Sequence, residues 1–381
     1  MAPTRPILFL DHATVLGGAE NSLLGLMEQL RLSDFWQPHL AAPAGALTDA
    51  ASALEIPVHE VSMPRLRRSL AFPHHWQKSA RQIAHIVHDI QAELVHSNTV
   101  RATIYGALAA RLAHRPFVWH MRDFWLGEAE PGHPWLDGGG KRLLCAASTR
   151  VIANSAATAS HLPCSHKVEI APNGIRLEFY DPAQADGAGF RQMWRIPPEA
   201  PLIGMVGRLR PWKGQETFLQ MAALVHRRYP DARFVIVGGH PFGGSEEYVQ
   251  TLHDLTRQEG LAEVVIFAGH QDDVRPALAA MDVFVHPGSP EPFGLVNIEA
   301  MAMQKPVVAF AHGALPEIVT PETGILVPSG DIAALAEAVM ALLAEPQRAA
   351  AMGRQARARV AQNFTIQQTA RKIEEIYRSI I

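Results

Sequence analysis

A rhythm of short apolar runs and amphipathic stretches, broken once near the middle, restricts this chain to layers of parallel sheet and helix. Residues 7–10 form an apolar run between Pro6 and Asp11, and residues 21–30 place Leu23, Leu26, Met27 and Leu30 on one helical face. Residues 74–90 repeat the face with Trp76, Ala80, Ile83, Val87 and Ile90, and further strands are predicted at 94–96, 117–121 and 151–153. Strands alternating with helices imply a parallel sheet covered by helices. The rhythm stops after Asn173-Gly174, where residues 175–200 carry Asp181-Pro182, Gly187, Gly189 and Pro197-Pro198, a linker composition. It restarts with strands at 202–206, 234–237, 264–267, 283–286 and 307–310 and helices at 214–228 and 246–258, and residues 331–381 read as nearly all helical. The expected division is an N-terminal domain over 1–178, a linker over 179–200, a second domain over 201–363 and a final helix over 364–381. Two such domains facing each other leave a central cleft, and ligands of these sheets bind at the C-terminal ends of the strands.

Composition narrows the class. A chain of 381 residues exceeds one ordinary core, and 48% hydrophobic with 19% charged residues is a globular balance. A net charge of -3 argues against a nucleic-acid binder. Only Cys145 and Cys164 occur, so no disulfide framework is expected and a reducing cytoplasm fits. The first six residues lead straight into a short apolar strand and then Asp11, too early an interruption for a signal peptide. No run approaches the roughly 20 apolar residues of a membrane span.

The chemistry concentrates in the second half. Glu291-Pro292-Phe293-Gly294-Leu295-Val296-Asn297-Ile298-Glu299 places two carboxylates eight positions apart around an apolar turn. A strand precedes this segment and a helix follows it, so the amides of Phe293, Gly294, Leu295 and Val296 become free donors at a helix N-terminus. Such a terminus binds anions through unpaired N–H groups and the helix dipole. Carboxylates repel phosphate, so Glu291 and Glu299 require hydroxyl partners. Hydroxyls at both ends and phosphate between them describe a nucleotide-sugar. Gly207-Arg208-Leu209-Arg210-Pro211-Trp212-Lys213-Gly214 supplies a strand end, then Arg, then Lys, then Gly at a helix start. Arg208 offers a planar fork to phosphate oxygens and Lys213 a compact charge. Alone the pair could be a solvated basic loop; beside the Glu291–Glu299 segment it reads as a phosphate cradle.

These residues resemble the family-4 retaining glycosyltransferases of the GT-B fold (glycosyl transferases group 1), including bacterial envelope and exopolysaccharide sugar transferases. The run Pro306-Val307-Val308-Ala309, Gly313, Pro316-Glu317-Ile318-Val319 and Thr323-Gly324-Ile325-Leu326-Val327-Pro328 is similar too. The likeness is close over 202–331 and looser before it. It implies two Rossmann-like doubly wound domains, a nucleotide-sugar donor on the second and a saccharide or lipid-linked saccharide acceptor on the first. It also implies that the final helix crosses back to the N-terminal domain.

The N-terminal half adds candidates. Leu16-Gly17-Gly18-Ala19-Glu20 follows the first strand and opens a helix; adjacent glycines let backbone approach a ligand, although the spacing is not the dinucleotide fingerprint. The resemblance places Gly17 and Gly18 by the donor phosphates and the acceptor. His120, in Trp119-His120-Met121-Arg122-Asp123, stands at a strand end where the cleft is expected, and the resemblance brings it to the transferred sugar. Arg122 and Asp123 either pair to position the loop or meet the acceptor. Asn154-Ser155 reads as a helix cap and Asn173-Gly174 as a turn. Arg176 stands where the family often carries Asp, a departure in the linker.

The implied reaction places the diphosphate against Arg208, Lys213 and the 293–296 amides, the ribose on Glu299 and the donor sugar on Glu291. No two Asp are two positions apart, so the D-x-D metal site of the other main sugar-transferase fold is missing and no metal or other cofactor is expected. A glycosidase pair would need both carboxyls beside one bond and no cationic cradle. A nucleotide-sugar epimerase, a phosphorylase and a non-catalytic nucleotide-sugar-binding subunit remain as alternatives. Arg65-Leu66-Arg67-Arg68 with Met63, Leu70 and Phe72 reads either as a peripheral membrane contact for a lipid-linked acceptor or as a surface loop. The expected location is the cytoplasm, reaching the inner face of the membrane if that patch makes contact. Base contacts are expected near 238–240 and 269–270.

Overall fold

A computed structural model of the chain describes residues 4–65, 72–127, 133–239 and 246–381. The basic patch at 65–68 lies outside the described residues apart from Arg65, as does His240 of the expected base-contact segment. The chain divides into two units, Met1–Ile175 with Thr365–Ile381, and Arg176–Phe364.

The first unit is built on seven parallel strands: β1 (Arg5–Leu10), β2 (Trp36–Ala42), β3 (Val58–Glu60), β4 (Leu94–Ser97), β5 (Phe117–Met121), β6 (Arg150–Ala153) and β7 (Val168–Ile170), in the order β3-β2-β1-β4-β5-β6-β7. Every residue of β4 and β5 is buried, the pattern of a parallel sheet covered on both faces. Strand order reverses between β1 and β4, the position at which sheets of this kind bind ligands. The chain leaves this unit at Ile175 and returns at Thr365, and the two residues bridge in parallel. Thr365 then caps the helix Ile366–Arg378 in a reciprocal capping box with Gln368. This helix lies on the helix Gly18–Leu32, where Gly25 leaves room for Ile366, and it buries Tyr377 against Trp36.

The second unit carries six parallel strands: β8 (Leu202–Val206), β9 (Arg233–Val237), β10 (Val265–Gly269), β11 (Val283–His286), β12 (Val307–Phe310) and β13 (Gly324–Val327), in the order β10-β9-β8-β11-β12-β13. Its reversal falls between β8 and β11. Residues 176–200, which read as a linker, are folded into this unit. They form a helix at Gly187–Met193 held by Arg191, whose guanidinium donates to the carbonyls of Ala200 and Ala280 and pairs with Asp282. Among the described residues no helix is long and apolar enough to cross a membrane.

One expectation is overturned. Cys145 and Cys164, too few to suggest a disulfide framework, are joined to each other. The helix Pro134–Ala147 and the turn after the helix Ala156–Ser160 bring them together, and both are buried. The cysteine count therefore no longer supports a reducing compartment. Closing a loop of sequence separation 19 restricts the unfolded chain by about 3 kcal/mol. Replacing both cysteines with serine should accelerate amide hydrogen exchange in β5, β6 and β7 and leave β8–β13 unchanged. Equal exchange in both proteins would show that the bond does not hold the first unit.

Candidate functional site

In the second unit, the loops after β8 and β11 meet at the strand reversal, backbone against backbone. The Ser289 amide donates to the Trp212 carbonyl at 2.8 Å. Gly214 is left-handed at φ +79°, and a Cβ there would fall 2.3 Å from the Pro287 carbonyl oxygen. Gly313 is left-handed at φ +56°, and a Cβ there would fall 2.5 Å from the Glu291 oxygen. The Ala314 amide closes the arrangement by donating to the same Glu291 oxygen at 3.0 Å. Glycine at 214 and 313 is therefore a steric requirement of the packing that positions Lys213 and Glu291.

Across this contact the Lys213 ammonium donates to Glu291 Oε1 in a partly buried ion pair. His286, the last residue of β11, brings Nε2 to 3.8 Å from the same oxygen. Burial pushes the Glu291 carboxyl up, but Lys213, His286 and Arg208 outweigh it and hold the group below the usual range. Burial pushes His286 down to about 4, so it is neutral at pH 7. Arg208 is exposed beside this cluster. Its loop is pinned through its backbone, where Gln215 Nε2 donates to the Arg208 carbonyl at 2.9 Å and the Leu209 amide to Gly239 at 3.0 Å. Arg208, Lys213 and Glu291 are thus one group: two cations and one carboxylate.

The helix Leu295–Ala302 starts beside this group with Gly294 as its N-cap. The Leu295 and Val296 amides lie in its first turn, where helix geometry leaves N–H groups without intrahelical acceptors. Phe293 turns its side chain inward onto the Phe364 ring, centroids 5.9 Å apart, leaving only backbone to face a ligand. Asn297 Nδ2 donates to the Gly294 carbonyl at 3.0 Å, while buried Asn297 Oδ1 and His286 Nε2 have no hydrogen-bond partner. Glu299 lies over a turn further on, and the Tyr180 hydroxyl donates to it. Burial pushes Glu299 up to about 7, against the lowering effect of that bond. Among the described residues no three His, Cys, Asp or Glu side chains cluster as a metal site.

The first unit carries polar residues immediately after four strands: Asp11 after β1, Asn98 after β4, Arg122 after β5 and Asn154 after β6. Asn98 Nδ2 donates to Asp11 Oδ2 at 2.7 Å across the strand reversal. Arg122 donates to Asn98 Oδ1 through Nε and to Asn173 Oδ1 through Nη1, both at 2.6 Å. Arg122 is thus a buried brace. Asn154 donates to its carbonyl, while Ser155 alone caps the following helix. Gly17 is the N-cap of the helix Gly18–Leu32 in extended backbone, open to any residue. A Cβ there would come within 2.8 Å of Glu20 Oε2, the mobile end of a side chain that can shift aside. Glu20 folds back to accept the Gly17 amide, and burial and then the Asp11 charge push it up to about 7. Gly18 is exposed at the start of the helix.

His120 does not stand at the exposed strand end. It is the residue before last in β5, 0% exposed, with Nδ1 3.3 Å from His96 Nε2. Burial, then the positive charge of Arg122, pushes its pKa well down, so the ring is neutral. Sequence reasoning missed Asp11, Asn98 and Glu20 in this unit and His286 and Tyr180 in the other. For Asp11, Asn98 and His286 a usable signal was present: a polar residue ending, or directly following, an apolar parallel strand; Glu20 and Tyr180 carried no such signal.

Glu299 yields a pH prediction. Its folded-state pKa of about 7 lies above the ordinary 4.5, so its contribution to stability is full at low pH and is lost as pH rises from about 4.5 through 7. Glu299→Gln should therefore gain melting temperature over the wild type between pH 5 and pH 8. A gap that stays constant with pH would show that Glu299 ionises normally.

Residues 16–179 match the family model described as Glycosyltransferase Family 4, and residues 189–359 match Glycosyl transferases group 1. The lipopolysaccharide core biosynthesis mannosyltransferase LpsB of Rhizobium meliloti (strain 1021) is 33% identical over 247 residues, 64% of this chain and 69% of LpsB. The D-inositol 3-phosphate glycosyltransferase of Kineococcus radiotolerans is 31% identical over 314 residues, 76% of this chain and 72% of the relative. The crystal structure of Anabaena HepE in complex with UDP and glucose matches with a TM-score of 0.82 and 28% identity, over 98% of this chain and 99% of HepE. On these matches the chain belongs to the family-4, group 1 glycosyltransferases and is an enzyme of the GT-B fold.

Proposed function

We propose that the protein moves a sugar from a nucleoside-diphosphate sugar to a hydroxyl of a saccharide or lipid-linked saccharide, with retained anomeric configuration and without a metal ion. The observation that carries this reading is the Lys213–Glu291 ion pair beside Arg208 at the β8/β11 reversal. A phosphate-binding pair of cations and a carboxylate suited to sugar hydroxyls stand side by side there. The UDP and glucose of HepE support the donor class. LpsB, named for lipopolysaccharide core biosynthesis, supports a cell-envelope acceptor.

The donor diphosphate lies on Arg208, Lys213 and the first-turn amides of the helix Leu295–Ala302. Glu299 accepts hydrogen bonds from the ribose. Glu291, held ionised by its cationic neighbours, accepts from the donor sugar and fixes its face. As the bond to the leaving diphosphate stretches, negative charge grows on the bridging oxygen, and the two cations stabilise it in place of a divalent ion. Such preorganised charge is usually the largest catalytic contribution. The acceptor hydroxyl then attacks from the face the diphosphate leaves: its oxygen bonds the anomeric carbon as the bond from that carbon to the phosphate oxygen breaks, and its proton passes to the departing phosphate.

Arg208→Ala removes charge-assisted hydrogen bonds of about 1.5–3 kcal/mol each, so kcat/KM should fall about 10- to 200-fold for one bond lost in the transition state. A loss under about threefold would take Arg208 off the diphosphate. EDTA should leave the rate unchanged; loss with EDTA and recovery with magnesium would overturn metal independence. Nucleoside diphosphate should be released only when a saccharide acceptor is present. An epimerase needs no acceptor, and a binding subunit releases nothing.

A further inference from the structure

The helix Pro134–Ala147 of the first unit is built inside out. Two of its charged side chains point inward: Asp137 and Lys141 are buried and pair at 2.7 Å. Asp137 Oδ1 accepts the Leu126 amide at 2.7 Å, and the Lys141 ammonium donates to the Phe124 carbonyl and lies 4.9 Å over the Trp125 ring. Cys145, also buried, ties the same helix to Cys164. The outward face is apolar instead, with Trp135 71%, Leu136 54% and Leu143 74% exposed. Trp135, Gly139, Leu143 and Ala146 recur at helical spacing, so they form one stripe along the helix. Burying a charged pair costs desolvation, and a Trp left in water forgoes burial. An apolar partner for the outward face removes the second cost.

The neighbouring helices supply charge. The helices Phe72–Asp89, Val100–Leu112 and Pro134–Ala147 lie on one side of the seven-stranded sheet, over a shared core that includes Ile83, Tyr105 and Leu144. Lys78, Arg81, Arg111 and Arg142 are exposed on them. The three helices hold only two acids: Asp137, buried on Lys141, and Asp89, the last residue of its helix. An apolar stripe that starts with a Trp, flanked by four cations, suits an anionic bilayer, where Trp and Leu enter the head-group region and Lys and Arg stay at the phosphates. A second copy of the chain suits it less well. An isologous contact would set these cations against their own copies. A stable protein interface also takes about 20–30 residues a side, whereas this helix offers three large exposed apolar side chains.

We propose that this helix layer of the first unit docks on an anionic membrane surface, with Trp135, Leu136 and Leu143 entering the head-group region and the cations drawn to lipid phosphates. The buried Asp137–Lys141 pair fixes which face of the helix meets the bilayer. The surface deepens the reading of a lipid-linked acceptor, and only its effect on turnover rests on that reading: enzyme held on the bilayer meets a lipid-bound substrate at high local concentration.

The experiment floats the full chain on vesicles of phosphatidylcholine alone or of an equal mixture with phosphatidylglycerol, without substrate. The wild type should float with the mixed vesicles only, and added salt should release it. Arg81→Gln and Arg142→Gln should each weaken binding about fivefold. Trp135→Gln/Leu143→Gln should weaken it about tenfold or more, with an unchanged melting temperature because both side chains are exposed. That double variant should keep full transfer to a water-soluble saccharide and lose transfer to a lipid-linked one presented in mixed vesicles. No binding by the wild type, equal binding to phosphatidylcholine alone, or unchanged binding in all three variants would overturn the docking surface. So would a concentration-dependent dimer that the double variant abolishes. Binding that follows the variants as expected, with no enzyme turnover of any lipid-linked saccharide, would keep the surface and remove the lipid-linked acceptor.

Discussion

The ion pair between Lys213 and Glu291 is the interaction on which the rest of the site depends. It joins two loops that follow different strands, and it forms because glycine at 214 and 313 lets the backbones touch. A half-buried carboxylate would otherwise take up a proton and lose its capacity to accept hydroxyl hydrogen bonds as an anion. With the Lys213 and Arg208 charges beside it, Glu291 stays ionised. The same pair restrains Lys213, which is part-buried at 21% side-chain exposure.

Both sheets use their strand reversals, but for different work. At β8/β11 the reversal opens room for two charged loops and a helix start. At β1/β4 the corresponding place is laced shut by Asn98 on Asp11, with Arg122 drawn in from β5. Such a polar layer costs desolvation and returns stability only because each group finds a partner. The first unit therefore presents a braced layer at its strand ends, and Glu20 in the first turn of its first helix feels the Asp11 and Arg122 charges of that layer.

Much of the fold could be read from the residues. Strands at 117–121, 202–206, 283–286 and 307–310 match their predicted bounds, because parallel strands buried on both faces are unbroken apolar runs. β2 escaped because Gln37, Pro38 and His39 interrupt its apolar pattern, and β7 because three residues leave no period to read. Lys213 and Glu291 were each legible as chemistry, but not as partners, since the contact depends on backbone geometry that glycine permits without announcing. Tyr180 hid in a stretch whose prolines and glycines suggested a linker, although folding brings its hydroxyl to Glu299. His120 was placed by its position near a strand end, yet strand alternation turns its ring toward His96 and away from solvent.

The most direct test titrates UDP, the nucleotide held by HepE, into the wild type and Glu291→Gln by calorimetry while transfer is measured in parallel. If Glu291 restrains Lys213 and serves the sugar, the variant releases the cation. UDP should then bind more tightly, by roughly 1 kcal/mol or about fivefold, while sugar transfer falls. Unchanged or weaker UDP binding together with undiminished transfer would contradict the account.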